Sequence, residues 1–224
     1  MQVVCGGRNR LALQSDLLGA SALGVRNLLC LTGDEVELGG HPLSANLLDL
    51  DAVELLRAAD VMRREGRLTD GEEIQGACDF WLGAAADPYV SDSGELGRIE
   101  AKLHVGVDFL QTQPVFDIEG FRLWLESLRA SGLLGRVRIL AGMLPLRGAG
   151  SAHYLPSRIP GVSIPESLIE RLEKAESEAA EGIDIAVETA RQIIQLPGVD
   201  GLHIMAGGGA DAVPLILDAL SLTL

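Results

Sequence analysis

Short runs of apolar residues alternate with longer amphipathic stretches along the whole chain. Each run is about four to six residues long and almost free of polar residues, which is typical of strands buried in a parallel sheet. We therefore predict six buried strands. They cover residues 2–5, 27–31, 80–85, 108–111, 137–141 and 201–205.

The stretches between these runs have the periodicity of amphipathic helices. Asp117 precedes one of them and is predicted to be its N-cap, and Pro165 fits a first helical turn. A long helical zone that follows Pro165 is expected to break near Glu181 and Gly182. The predicted helices cover residues 11–23, 51–65, 96–105 and 118–131, the zone 165–196, and a last helix from about Asp211.

The order of strand, loop and helix, repeated six times, predicts an α/β fold with a parallel sheet, since each crossover returns the chain to the same edge. This order fits an open doubly wound sheet or six of the eight units of a (β/α)8 barrel, and periodicity does not choose between them. No sharp change of composition divides the chain, so we predict a single domain over residues 1–224. In both architectures ligands bind at the carboxyl ends of the strands.

Composition and charge narrow the classes of partner. The formal net charge is −14, from 32 acidic and 18 basic residues. Binding to nucleic acid or to an anionic membrane surface needs clustered lysine and arginine, so both are disfavoured. No apolar run reaches the ~18 residues of a membrane span. The three cysteines form no CxxC pair, which favours a reducing cytoplasm and speaks against a disulfide framework or a zinc site.

The residues that follow the predicted strands are mostly small or uncharged, as a flat conjugated ligand lying close to backbone would need. They include Thr32-Gly33-Asp34 and Thr112-Gln113-Pro114. The sequence has no GxSxG, P-loop or HExxH motif, and no GxGxxG that opens a helix. His203 lies inside an apolar run, where a core histidine is the favoured interpretation over a catalytic base.

A set of specific segments resembles the methylenetetrahydrofolate reductase family, in the order in which that family has them. The segments run through nearly the whole chain, from what would be the family's third strand onward. They are RNRL at 8–11, QSDLLGA at 14–20, LGVRNLL at 23–29, LTGD at 31–34, QTQPVFD at 111–117, AGMLPL at 141–146, IPGVSIP at 159–165, EGI at 181–183 and GLHI at 201–204.

The resemblance implies a (β/α)8 TIM-barrel fold with FAD at the carboxyl ends of the strands. It implies flavin-dependent reduction of 5,10-methylenetetrahydrofolate to 5-methyltetrahydrofolate, a step of one-carbon metabolism and methionine biosynthesis, with NADH or NADPH as electron donor. Asp34 matches a catalytic aspartate beside flavin and folate, and Gln113 matches the glutamine that binds the pterin. Thr32, Gly33, Asp34, Glu95 and Lys102 match positions that contact FAD.

The same resemblance leaves the family's first two β/α units, and the glutamate of its first strand, without a counterpart in this sequence. We therefore expect a barrel truncated to about six units. Three explanations stay open: a homo-oligomer or a partner chain completes the barrel, the sequence begins at a late start codon, or the protein is a decayed fragment. The alternative is a non-catalytic relative that binds flavin or a partner protein without turnover. A structural remnant that binds no ligand is the third interpretation.

Overall fold

The structure is a computed structural model that describes residues 1–33, 48–90, 93–157, 161–206 and 211–221. Strands and helices alternate along these ranges. The strands are β1 (Gln2–Val4), β2 (Asn27–Leu31), β3 (Trp81–Ala86), β4 (Phe109–Pro114), β5 (Arg138–Met143) and β6 (Gly201–Ile204). The helices are α1 (Arg10–Ala22), α2 (Ala52–Glu65), α3 (Ser93–Val105), α4 (Ile118–Ala130), α5 (Ala149–Tyr154), α6 (Glu166–Lys174), α7 (Glu178–Ile193) and α8 (Ala212–Ala219).

The six strands of the described ranges form one sheet in the order β1-β2-β3-β4-β5-β6. The pairs β1–β2, β2–β3 and β5–β6 are parallel. Consecutive parallel neighbours joined by helices are the arrangement of (β/α) barrel units. The predicted α/β class and parallel sheet are confirmed.

The chain divides into two compact units. Unit 1 comprises Met1–Ala85 and Leu96–Leu110, and unit 2 comprises Ala86–Glu95 and Gln111–Leu224. The prediction of a single domain stays a prediction.

In unit 1 one face of the sheet is buried and the other is partly exposed. Val3 lies opposite Cys30, and Cys30 lies opposite Ala84, and all three are buried. Helix α2 packs on β2, and its N-cap Asp51 forms a capping box with Glu54. On the opposite face, Val4 of β1 and Trp81 of β3 are exposed.

In unit 2 the buried residues form two clusters. Met143 of β5 packs with Ala186 and Ala190 of α7 and with Ile216 of α8. The loop that follows β5 packs against α6 and α7 in the second cluster. Asp117 caps α4 as predicted, since its Oδ1 accepts a hydrogen bond of 3.0 Å from the N–H of Gly120.

The structure corrects three boundaries. The break in the zone 165–196 lies between Lys174 and Glu178 instead of near Gly182. Gly182 stays helical and is buried. A Cβ there would overlap the carbonyl oxygen of Leu146, so the glycine allows close packing and does not end the helix. Strands β4 and β5 continue past their predicted ends to Pro114 and Met143, and α5 was not predicted.

Candidate functional site

The carboxyl end of β2 in unit 1 carries Thr32 and Gly33. The Thr32 hydroxyl oxygen accepts a hydrogen bond of 3.1 Å from the N–H of Ala52, and within the described ranges no acceptor is assigned to its own proton. Gly33 has φ +91°, and a Cβ there would lie 2.5 Å from Cγ1 of Val4. Glycine at this position is therefore required by the backbone and by the neighbouring strand.

Lys102 brings a positive charge to the carboxyl end of the neighbouring strand. Its Nζ donates a hydrogen bond of 2.7 Å to the carbonyl oxygen of Ala85, the penultimate residue of β3. Because β2 and β3 are parallel and adjacent, Thr32, Gly33 and Lys102 lie at the same edge of the unit 1 sheet. The structure thus brings together three of the predicted residues.

Asp34, the predicted catalytic residue, lies outside the described residues. Its position relative to the other residues at this edge stays a prediction.

Gln113 lies near the carboxyl end of β4 in unit 2. Exposure alternates along this strand, so that Gln113 is half-buried whereas its neighbours Thr112 and Pro114 are buried. Among the described residues, no hydrogen-bond partner is assigned to the Gln113 side-chain amide. A half-buried amide with its donors and its acceptor unused can receive a ligand that has a polar edge.

Thr112 fixes the backbone beneath Gln113. Its hydroxyl donates a hydrogen bond of 2.8 Å to the Gln113 carbonyl oxygen and accepts one of 2.9 Å from the N–H of Gly142 on β5. A Cβ at Gly142 would lie 2.5 Å from the Thr112 carbonyl oxygen, so glycine permits an approach of the two strands that other residues would prevent.

Glu95 is 5% exposed in unit 2. Its Oε1 accepts a hydrogen bond of 3.1 Å from the N–H of Asp87, which directly follows β3. The Asp87 carboxylate in turn accepts from the N–H of Tyr89 at 3.0 Å. In the structure this carboxylate holds the loop after β3, and its contact with the cofactor, which the resemblance implies, stays a prediction.

A cavity of about 190 Å³ lies at the carboxyl ends of β5 and β6. Its walls are mainly apolar and include Pro145, Ile183 and Leu215, and two exposed charged residues, Arg147 and Asp211, also line it. An apolar cavity with a few polar groups is the usual form of a small-molecule site.

Two kinds of titratable group are neutral in this setting. Burial lowers the pKa of His203 on β6, which disfavours its charged form. Burial raises the pKa of Cys30 to about 12 and, with the charges of Asp51 and Glu54 adding to it, that of Cys5 to about 11. These two thiols are therefore poor nucleophiles.

Thr112, Gly142 and Asp87 follow predicted strands in the sequence, but the sequence assigns no role to any of them. A threonine inside a strand gives no sequence signal of its own, and its partner Gly142 is thirty residues away. Gly182 of α7 shows the same limitation, because its role in close packing is recognised only when its contact with the Leu146 carbonyl oxygen is known.

Within the described ranges, no helix combines the length and the apolar character that crossing a membrane would take.

The family profile and the curated relatives agree on one family. The profile of the family described as methylenetetrahydrofolate reductase matches residues 1–221. Methylenetetrahydrofolate reductase 1 of Schizosaccharomyces pombe is 25% identical, over 99% of this chain and 35% of its own length. A probable methylenetetrahydrofolate reductase (NADPH) of Caenorhabditis elegans is 24% identical, over 99% of this chain and 32% of its own. The chain thus spans about a third of the length of these curated relatives.

A solved structure supports the fold. An uncharacterized protein from Clostridium thermocellum, described as binding two copies of 5-methyl-5,6,7,8-tetrahydrofolic acid, aligns with a TM-score of 0.56 at 14% identity. The alignment covers 98% of this chain and 70% of that protein. At this identity the likeness shows the fold alone, and the resemblance noted from the sequence segments is confirmed by the family profile: the chain belongs to the methylenetetrahydrofolate reductase family.

Proposed function

We propose that this chain binds a folate and FAD and reduces 5,10-methylenetetrahydrofolate to 5-methyltetrahydrofolate, with NADH or NADPH as electron donor. The observation that carries the proposal is the family profile, which extends over residues 1–221 and so includes every candidate residue at the strand ends. The activity is a proposal for this chain because its curated relatives are about three times as long.

Gln113 is the residue that we assign to the folate. Its amide is half-buried at the end of β4 and engages no described residue, so its N–H groups and its oxygen can pair with the donor and acceptor edge of a pterin. A buried polar group of the ligand would gain a matched partner there, which favours pterins over apolar rings of the same size.

The residues at the carboxyl edge of unit 1 are suited to a dinucleotide cofactor. Thr32 keeps a hydroxyl proton to donate, Gly33 allows close approach of a ring to the backbone, and Lys102 places a cation where the resemblance expects the FAD phosphates. A bound FAD would supply the hydride chemistry, and the protein would supply placement and electrostatics.

Two further assignments depend on the resemblance. We assign Asp34 to the junction of flavin and folate on its match with the family alone, because it lies outside the described residues. We assign Glu95 to the cofactor site through the loop that its carboxylate holds at the Asp87 N–H. Activity on a folate would place the protein in cytoplasmic one-carbon metabolism and methionine biosynthesis.

The test is a comparison of two half-reactions in the full chain supplied with FAD. In the first, NADH or NADPH reduces the protein-bound flavin, and the fading of its absorbance is followed. In the second, the reduced protein is mixed with the folate substrate. We expect Gln113→Ala to weaken folate binding about tenfold or more, the loss of roughly one good hydrogen-bonded contact, and to leave the first half-reaction unchanged.

Gln192→Ala, which alters an exposed glutamine of α7, is the matched control and should change neither half-reaction. A wild-type protein that takes up FAD and folate without turnover would support the non-catalytic alternative. Protein that takes up neither would contradict the proposal.

A further inference from the structure

The hydroxyl of Thr112 is a buried bridge between two neighbouring strands of unit 2. The residue is 2% exposed, and its oxygen makes two hydrogen bonds, to the Gln113 carbonyl oxygen and from the Gly142 N–H. In a regular parallel ladder a backbone carbonyl of the neighbouring strand would accept from this N–H. Here a side-chain hydroxyl is the acceptor, so the backbone at 112–113 is set by a side chain.

The two bonds act on the residue whose side chain we assign to the folate. A hydroxyl that donates to the Gln113 carbonyl restricts the rotation of the Gln113 peptide unit. The bond from Gly142 anchors the same hydroxyl to β5, and the glycine allows the contact because a Cβ would lie 2.5 and 2.7 Å from the carbonyl oxygens of Thr112 and Gln113. The direction in which the Gln113 side chain leaves the strand is thereby fixed before any ligand arrives.

We infer that Thr112 is a positioning residue for folate binding, which holds the Gln113 amide in its binding orientation through the hydroxyl bridge to Gly142. The inference rests on the proposed function, in which Gln113 contacts the folate. A preset amide binds more tightly because less conformational freedom is lost when the ligand arrives. Thr112 itself touches no ligand.

The experiment measures the Kd of 5-methyltetrahydrofolate by calorimetry on the full chain with FAD added, below the melting temperature of every variant. Thr112→Val keeps the branched shape and removes the hydroxyl. We expect its Kd to rise by about tenfold, as for the loss of one preorganised contact. Thr112→Ser keeps the hydroxyl and should stay within about twofold of wild type.

A double-mutant cycle separates positioning from general stability. On a Gln113→Ala background the orientation of residue 113 no longer matters, so adding Thr112→Val should change the Kd by less than about twofold. Thr189→Val is the matched control, since Thr189 is another buried threonine of unit 2, and it should leave the Kd unchanged. If Thr112→Val does not fold, Thr112→Cys, whose thiol is a weaker donor and acceptor, should raise the Kd by about threefold.

Each outcome bears on one of the two proposals. If wild type binds the folate and Thr112→Val binds equally well with a lower melting temperature, Thr112 is structural and the inference is wrong while the proposed function stands. Equal losses on the wild-type and Gln113→Ala backgrounds would also overturn it. If wild type binds no folate, the proposed function fails and the inference fails with it.

Discussion

Different kinds of contact stabilise the amino end of the strands in unit 1 and the carboxyl end of the strands in unit 2. At the first, Arg63 donates to Asp60 at 2.9 Å and to Asp108 at 2.5 Å, and also to the carbonyl oxygens of Phe80 and Gly106 at 3.0 and 2.6 Å. The Asp108 carboxylate also accepts from the N–H of Leu82 at 2.7 Å.

At the second, the contacts that join β4 to β5 are uncharged. A hydroxyl and a glycine join β4 to β5, and Gly182 of α7 lies directly against the Leu146 carbonyl in the loop that follows β5. The Gln113 amide beside them has no partner among the described residues. The guanidinium at the first end is committed to protein groups, whereas the second end fixes the backbone and leaves a polar side chain for a ligand. This difference agrees with barrels, in which the amino face serves stability and the carboxyl face binds.

We expect the largest loss of stability when the charged network around Arg63 in unit 1 is removed. Arg63→Met should lower the free energy of unfolding by about 3 kcal/mol, because the Asp60 and Asp108 carboxylates and two carbonyls then lose a largely buried partner. Urea unfolding measures this as a lower midpoint at a constant slope.

Arg64→Met is the matched control. Arg64 pairs with the same Asp60 carboxylate, but its side chain is 63% exposed, and we expect a loss below about 1 kcal/mol. Equal losses in the two variants would show that burial of the network does not matter, and the contrast between the two ends would lose its basis.

The next effect should come from the close backbone packing of unit 2. Gly182→Ala would place a methyl group on the Leu146 carbonyl oxygen, so α7 or the loop after β5 must shift, at a cost of about 2 kcal/mol. Gly150→Ala is the control within a helix, since a Cβ there meets nothing within 4 Å. Alanine at 150 should be neutral or stabilise by up to about 1 kcal/mol through helix propensity. Thermal unfolding of both variants checks this, and a Gly182→Ala protein as stable as wild type would contradict the structure of this contact.

These contrasts also show which parts of the fold could be predicted from the sequence. The strands could be predicted because they are short and mainly apolar, which distinguishes them from the amphipathic helices between them. The ends of β4 and β5 could not, because Gln113 and Gly142 look like loop residues until the neighbouring strand is known. The sequence predicts the break between α6 and α7 at Gly182, which is wrong. A glycine that allows close packing and a glycine that ends a helix cannot be distinguished in a sequence.

The candidate site divides in a similar way. Gln113 and Lys102 could be named only through the resemblance to a family, and the structure places each near the carboxyl end of a strand. Thr112 is visible in the sequence as a strand-end residue, but its role is not, because that role depends on Gly142 across the sheet. The direction of the Glu95 side chain could not be predicted from the sequence either. Helical spacing indicates which residues share a face, but it does not show that a carboxylate turns inward to the Asp87 N–H.

The smallest predicted effect concerns pH at the carboxyl end of the strands in unit 2. Burial lowers the pKa of His203 on β6 below its ordinary value of 6.5, so the folded protein keeps this imidazole neutral where the unfolded chain already binds a proton. The stability from the neutral His203 is fully present above about pH 6.5 and is lost as the pH falls through the lowered folded-state pKa, because the unfolded state then holds more protons.

The melting temperature of wild type should therefore fall between about pH 7.5 and pH 5.5 more steeply than that of His203→Gln, which has no imidazole at position 203. Carboxylates elsewhere in the chain contribute equally to both proteins, so the difference between the two slopes isolates His203. Parallel slopes would mean that His203 is as well solvated in the folded protein as in the unfolded chain. The carboxyl end of β6 would then be open to water, and a partly dry site at this edge would have to be abandoned.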